Sequence, residues 1–444
     1  MDVSAVVDEG LGNSAHVVDL GDGTALVVDP ARDPRPYLSP DAGRPHPRIV
    51  VETHLHADFV SGGRELAAAG ARLLAPAGSE LAYHHEPLRD GDEVDLGGLT
   101  LQVIATPGHT PEHLAYLLLD GGRPRALFSG GTLMSGGAAR TDLLHPEQTE
   151  PLARAAYRSI HERLFTLPDD LPVHPTHGGG SFCSVAATGT NTTTIGQERR
   201  ANPLLADGAD EDTFVARLLG GLGSYPPYFL QLRAVNRAGA EVYGPTPPLP
   251  RLTVEAVDRA VADGAEVVDV RGIRAFAAGH VPGSLSNPWR PQFATWLGWL
   301  VPRDRPVVLV ADAAVDRQDL VWAALNIGAE RIVGELAGGM DAWRDAGRPI
   351  ARTALVTTPD QRDRHVVDVR QASEFASHHV PGALHVELGT LATDPGAVPT
   401  GPVLVHCGHG ERAMAAASLL ERAGHPDVAV LAGGPADIRA TTGA

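Results

Sequence analysis

Two stretches of this 444-residue chain gather side chains able to do chemistry. In the first, the apolar run Ile49-Val50-Val51 leads into Glu52-Thr53-His54-Leu55-His56-Ala57-Asp58-Phe59. Alternation along an extended chain puts His54, His56 and Asp58 on one side. Imidazole and carboxylate gathered in this way suit zinc, iron and other first-row metals. Two more histidines stand in turn-rich surroundings, His109 in Pro107-Gly108-His109-Thr110 and His177 in Pro175-Thr176-His177-Gly178. One metal on His54, His56 and His109, with Asp58 and His177 as weaker candidates, keeps an open position for water or substrate. The alternative is that these histidines only bond one another or the backbone.

In the second stretch, Val403-Leu404-Val405-His406 runs into Cys407-Gly408-His409-Gly410-Glu411-Arg412 and an alanine-rich segment expected to be helical over 413–423. Glycines at 408 and 410 let backbone N–H groups turn toward the sulfur. The helix N-terminus and Arg412 favour negative charge there, which is what a nucleophilic thiolate requires. Cys407 and Arg412 are thus the catalytic candidates. Cys183, the other of two cysteines, follows His177 by six residues and is either an inert core thiol or a substrate-contacting one. Thr194 and Gln197 have capping-box spacing, so a helix starts there. It carries Arg199 and Arg200, which either hold the carboxylate of a thiol such as glutathione or form surface salt bridges.

An internal repeat organises the second half. Val267-Val268-Asp269-Val270-Arg271 returns as Val366-Val367-Asp368-Val369-Arg370, and His280-Val281-Pro282-Gly283 as His379-Val380-Pro381-Gly382, both displaced by 99 residues. Ala337-Gly338-Gly339 returns as Ala432-Gly433-Gly434, displaced by 95. Repeats about 100 residues long are duplicated domains, not solenoid units. In each, β-branched runs (307–310, 403–405) alternate with helical segments (319–325, 413–423), the pattern of a parallel α/β sheet. At a shift of 95, Asp312 stands opposite Cys407, so the first copy reads as catalytically silent. Pro245-Thr246-Pro247-Pro248-Leu249-Pro250 reads as a linker. Before it, strands expected at 25–28, 49–51, 101–104 and 114–119 alternate with amphipathic segments such as 151–165, a further α/β unit. The expected domains are 1–244, a linker at 245–252, 253–353 and 357–444.

A hydrophobic content of 43% against 20% charged is that of a globular chain, and a net charge of −18 argues against nucleic acid or an anionic membrane as partner. No run of about 20 apolar residues and no basic, apolar leader occurs, from which a cytoplasmic location is expected. A homo-oligomer stays open.

The histidine motifs, in this order, resemble the metallo-β-lactamase superfamily over roughly the first 180 residues. Residues 180–183 (Gly-Ser-Phe-Cys) and 194–203 are similar to its persulfide-dioxygenase branch, often fused to rhodanese domains. The resemblance implies an αββα sandwich followed by two rhodanese-like α/β domains with parallel sheets. The Cys407 loop resembles the rhodanese C-x-x-G-x-R loop, implying that Cys407 carries a sulfane sulfur while Gly408, His409, Gly410 and Glu411 line it. Two positions depart from the superfamily: Phe59 replaces a histidine, and Gly131 replaces the aspartate that ligates the metal. One metal ion is therefore expected, Fe(II) favoured and Zn(II) the alternative. Three functions follow: oxidation of a low-molecular-weight persulfide such as that of glutathione, coupled to sulfur transfer at Cys407; thioester hydrolysis resembling glyoxalase II; or sulfur transfer alone beside a non-catalytic N-terminal domain.

Overall fold

The computed structural model describes residues 2–40, 43–187, 189–357 and 364–438. The chain divides near Pro247 into two compact units. In the first, one six-stranded sheet runs Val3–Asp8, Asn13–Asp19, Thr24–Val28, His46–Val51, Arg72–Pro76, Glu86–Leu88 in spatial order. The other runs Thr193–Thr194, Pro172–Pro175, Arg123–Gly130, Leu114–Asp120, Leu99–Ala105, Glu93–Asp95. Strand alternation sorts the apolar residues to two faces. Val18, Leu26, Val28, Ile49 and Val51 meet Leu101, Val103, Tyr116, Leu118 and Phe128 in a shared core. Val17, Val27 and Val50 face the other way and pack with Leu66 of the helix Gly63–Ala68. Leu117, Leu127 and Val173 of the second sheet lie in a third cluster with residues of the helices Pro146–Arg158 and Glu211–Gly220. The layers are helix, sheet, sheet, helix, the αββα sandwich the resemblance implies.

The amphipathic segment expected over 151–165 begins earlier. Its helix starts at Pro146, where a missing N–H is harmless, runs through Pro151 to Arg158 and ends in a single π turn over Ser159–Arg163.

The second unit holds two five-stranded sheets whose strand pairings, among the described residues, are all parallel. The first has the order Arg251–Leu252, Ile332–Leu336, Val307–Val310, Glu266–Asp269, Leu285–Ser286. The second has the order Ala354–Val356, Val428–Leu431, Val403–His406, His365–Asp368, Leu384–His385. The repeat is thus a repeat of topology. Its landmarks are structural staples. Asp269 and Asp368 each accept a bidentate pair of bonds from Arg271 and Arg370, whose remaining N–H reaches Gly279 O and His378 O. His280 stacks on Phe276 and His379 on Phe375, with ring centroids 3.8 and 4.0 Å apart. Among the described residues no helix is long and apolar enough to cross a membrane.

Candidate metal centre and sulfur loop

The strand His46–Val51 delivers residues 52–59 to the carboxyl edge of its sheet, where α/β ligand sites form. There His54, His56 and Asp58 are buried together with His109 and His177, from the loops that follow Leu99–Ala105 and Pro172–Pro175. One ring nitrogen of each histidine is held by an acceptor. Thr53 Oγ1 gives its proton to Asp29, so His54 Nδ1–H must be the donor to Thr53 at 2.8 Å. His109 Nδ1–H donates to Arg140 O at 2.6 Å. His177 Nδ1 lies between Asn13 Oδ1 at 3.0 Å and Asp58 Oδ2 at 3.1 Å. His56 Nε2 lies 3.2 Å from both Asp29 and Glu52. These outer partners fix each ring and direct the other nitrogen inward.

His54 Nε2 and His177 Nε2 face each other at 3.4 Å, and His109 Nε2 and His56 Nδ1 have no hydrogen-bond partner among the described residues. Burial, then the neighbouring histidines, holds His54 and His109 well below the ordinary imidazole range, so both stay neutral donors of electron pairs. Burial opposes a charge on His56, but Asp29 and Glu52 outweigh it and push the ring up to about 10, so positive charge is favoured at that position. Burial likewise opposes the Asp58 carboxylate, which His177 nevertheless holds below its ordinary range. Convergent lone pairs beside an ionised carboxylate fit a metal cation. Ligand atoms of His54, His56 and His177 lie within 4.8 Å of one another, as do those of His109, His177 and Cys183.

The two departures have physical consequences. Phe59 stacks on His56 at 4.2 Å and packs the place of a ligand. A Cβ on Gly131 would stand 2.9 Å from the Ala139 methyl and 3.0 Å from the His109 ring, so the slot of the absent aspartate is filled as well. His113, which the motif spacing did not single out, accepts from Gly131 N–H at 3.0 Å, contacts Thr106 and Thr132 through Nδ1, and stacks on His54. Both its nitrogens are used, so it supports the site without entering it. Asp29 was also missed, since nothing local in sequence ties it to His56, and Glu52, four residues before His56, was not read as its partner.

Cys183 is fully buried beside Asp58. Among the described residues no contact brings Arg199 or Arg200 to this cluster. Arg199 pairs with Asp169 and donates to Phe165 O, and Arg200 lies 3.6 Å from Asp169. Thr194 caps their helix through Gln197 N–H, as expected, but the arginines sit in its last turn, where they complement its negative end. The substrate-binding role considered for them finds no support here, and the surface ion-pair reading fits the contacts.

In the second unit Cys407 follows the strand Val403–His406 and precedes the helix Glu411–Arg422. Gly410 adopts φ +106°, and from that conformation its N–H donates to Cys407 Sγ at 3.1 Å. Arg412 grips Glu374 with two bonds of 2.5 and 2.8 Å and lies 5.6 Å above the Trp296 ring. Burial opposes its charge, but Glu374 and the Cys407 sulfur raise it further. The thiol is 1% exposed. The first repeat contributes to its surroundings through Trp296 and Arg290. Burial lowers the Arg290 guanidinium, the charges of Glu411 and Cys407 act on it, and its Nε has no hydrogen-bond partner among the described residues. His409 is exposed, and Gly408 and Glu411 are half-buried.

At the corresponding loop of the silent repeat, Arg317 occupies the place of Arg412, since 412 − 95 = 317. It bonds Asp312 O at 2.7 Å and Glu335 at 2.7 Å, so the retained guanidinium closes its own loop.

Residues 8–177 match the family model described as metallo-beta-lactamase superfamily, and residues 253–346 and 353–441 that of the rhodanese-like domain. The human mitochondrial persulfide dioxygenase ETHE1 is 29% identical over 50% of this chain and 81% of its own length. A hydroxyacylglutathione hydrolase of Pseudomonas putida is 35% identical over 36% of this chain and 56% of its own. A solved structure described as a metallo-beta-lactamase from Staphylococcus aureus covers 75% of this chain and 98% of that one, with a TM-score of 0.66 and 27% identity.

Proposed function

Since this chain is a metallo-β-lactamase superfamily domain joined to two rhodanese-like domains, we propose that it oxidises a low-molecular-weight persulfide at a single iron and moves sulfane sulfur through Cys407. The observation that carries the reading is the convergence of ring nitrogens of His54, His56, His109 and His177 in one buried cluster that, among the described residues, has no carboxylate at position 131 to bridge to a second ion. His54, His56 and His109 would hold the metal, with Asp58 and His177 adjoining. The bound ion supplies an open coordination position. The overall reaction, RSSH + O₂ + H₂O → RSH + SO₃²⁻ + 2H⁺, consumes a persulfide and releases its thiol.

The chain's own residues set the conditions for it. Thr53, Arg140 O, Asn13 and the Asp29–Glu52 pair keep four imidazoles oriented, and burial shields the cluster from bulk solvent. At the other site the Cys407 thiolate attacks a sulfane sulfur, the S–S bond to the donor breaks, and the donor leaves as a thiol or as sulfite. Gly410 N–H faces the sulfur that forms that bond, and Arg412, steadied by Glu374, balances its charge.

Thioester hydrolysis is the second reading, supported by the similarity to hydroxyacylglutathione hydrolases. The filled slot at Gly131 weighs against it where two metals are needed. Protein reconstituted anaerobically with Fe(II) is expected to take up O₂ and form sulfite from glutathione persulfide. Thioester cleavage by the zinc form, with no O₂ uptake by the iron form, would replace the first reading by the second.

A further inference from the structure

We propose that Cys183 is a ligand of this metal, its thiolate standing in for the carboxylate that Gly131 removes. The inference rests on the metal reading above and adds the donor that reading lacks. His177 belongs to two triads whose ligand atoms lie within 4.8 Å, one with His54 and His56 and the other with His109 and Cys183. The first contains only imidazoles, and its carboxylates, Asp29 and Glu52, stand behind His56. The second contains a sulfur and has Asp58 against both His177 and Cys183. A buried divalent ion is stabilised by anionic donors that reach it directly, so Cys183, whose sulfur lies within 4.8 Å of ligand atoms of His109 and His177, would complete the donor set on the His109 side of the ion.

Cys183 is 0% exposed, His109 Nε2 beside it has no hydrogen-bond partner among the described residues, and neither oxygen of Asp58 meets the geometry of a hydrogen bond. The cysteine is also positioned. Its N–H donates to Ser181 Oγ and its carbonyl accepts from Arg140 N–H, while Arg140 O holds the His109 ring. Arg140 therefore links the thiol and the imidazole through adjacent backbone groups. Cys183 is as closed to solvent as the histidines beside it, and an ion within the cluster can displace its proton to solvent and take the thiolate.

The chain has two cysteines, which makes the test direct. In Cys407→Ser the remaining thiol is Cys183, so the full-length variant loaded anaerobically with Co(II) is expected to show the near-ultraviolet thiolate-to-cobalt charge-transfer band. Cys183→Ser should lack that band and bind Co(II) at least tenfold more weakly in chelator competition. Cys183→Asp should regain affinity without the band. Cobalt bound to Cys407→Ser with visible ligand-field bands but no charge-transfer band overturns the inference and leaves the histidine site standing. Failure to bind cobalt at all overturns both.

Discussion

Replacing Gly410 by alanine tests the sulfur loop where its backbone does the work. At φ +106° an alanine is strained by about 1–2 kcal/mol. Its Cβ would meet Ile273 Cδ1 at 2.9 Å and Leu431 O at 3.3 Å, the latter a backbone atom with little freedom to yield. The relief available is a rotation of the 409–410 peptide, which turns the N–H away from Cys407 Sγ. A hydrogen bond to a charged acceptor contributes about 1.5–3 kcal/mol, so its loss corresponds to roughly a 10- to 100-fold drop in kcat/KM for transfer from thiosulfate. Steady-state transfer to cyanide reads the rate, and iodoacetamide alkylation of Cys407 at fixed pH reads the nucleophile without turnover. Both should fall together, with circular dichroism unchanged. Wild-type rates in a folded Gly410→Ala protein would refute the claim that this amide sustains the thiolate.

Arg290 supplies positive charge near Cys407 from a repeat with no nucleophile of its own. Arg290→Gln should lower alkylation by anionic iodoacetate about tenfold relative to neutral iodoacetamide, and an unchanged ratio would remove Arg290 from the site. In the silent repeat Asp312→Cys combined with Cys407→Ser should restore no sulfur transfer, because Arg317 remains bound within its own loop; measurable turnover would contradict that. Burial opposes the Asp29 carboxylate, but His56 holds it below the ordinary range. A carboxyl depressed on folding adds stability above its unfolded value near 4, and that stability is lost as pH falls through the lower folded value. Metal-free wild type should thus lose more stability than Asp29→Asn on acidification below about pH 4, measured by urea unfolding. Parallel losses would count against the Asp29–His56 pair.

Much of the architecture was legible because it rests on local pattern. Strands such as 25–28 and 307–310 appear as β-branched runs, and the repeated Asp-Val-Arg and His-Val-Pro-Gly landmarks stand out because each copy uses them for the same staple. The histidine motif was legible from its residue types, although the strand ends at Val51 and the segment carrying His54, His56 and Asp58 reaches its buried cluster through bends, not strand alternation. What stayed hidden depends on contacts distant in sequence. Asp29 reaches His56 from a left-handed turn at φ +49°, and no spacing announces it. Trp296 and Arg290 approach the Cys407 site from the other repeat. Arg199 and Arg200 show the converse: capping fixes where a helix begins, but not whether its last-turn arginines meet a ligand or Asp169.

The central claim is one metal per chain on these histidines, and elemental analysis of protein purified without chelator measures it most directly. The account predicts close to one iron per chain, lost in His54→Ala and in His109→Ala together with O₂ uptake on glutathione persulfide. Metal far below one per chain, with both variants indistinguishable from wild type, would contradict it.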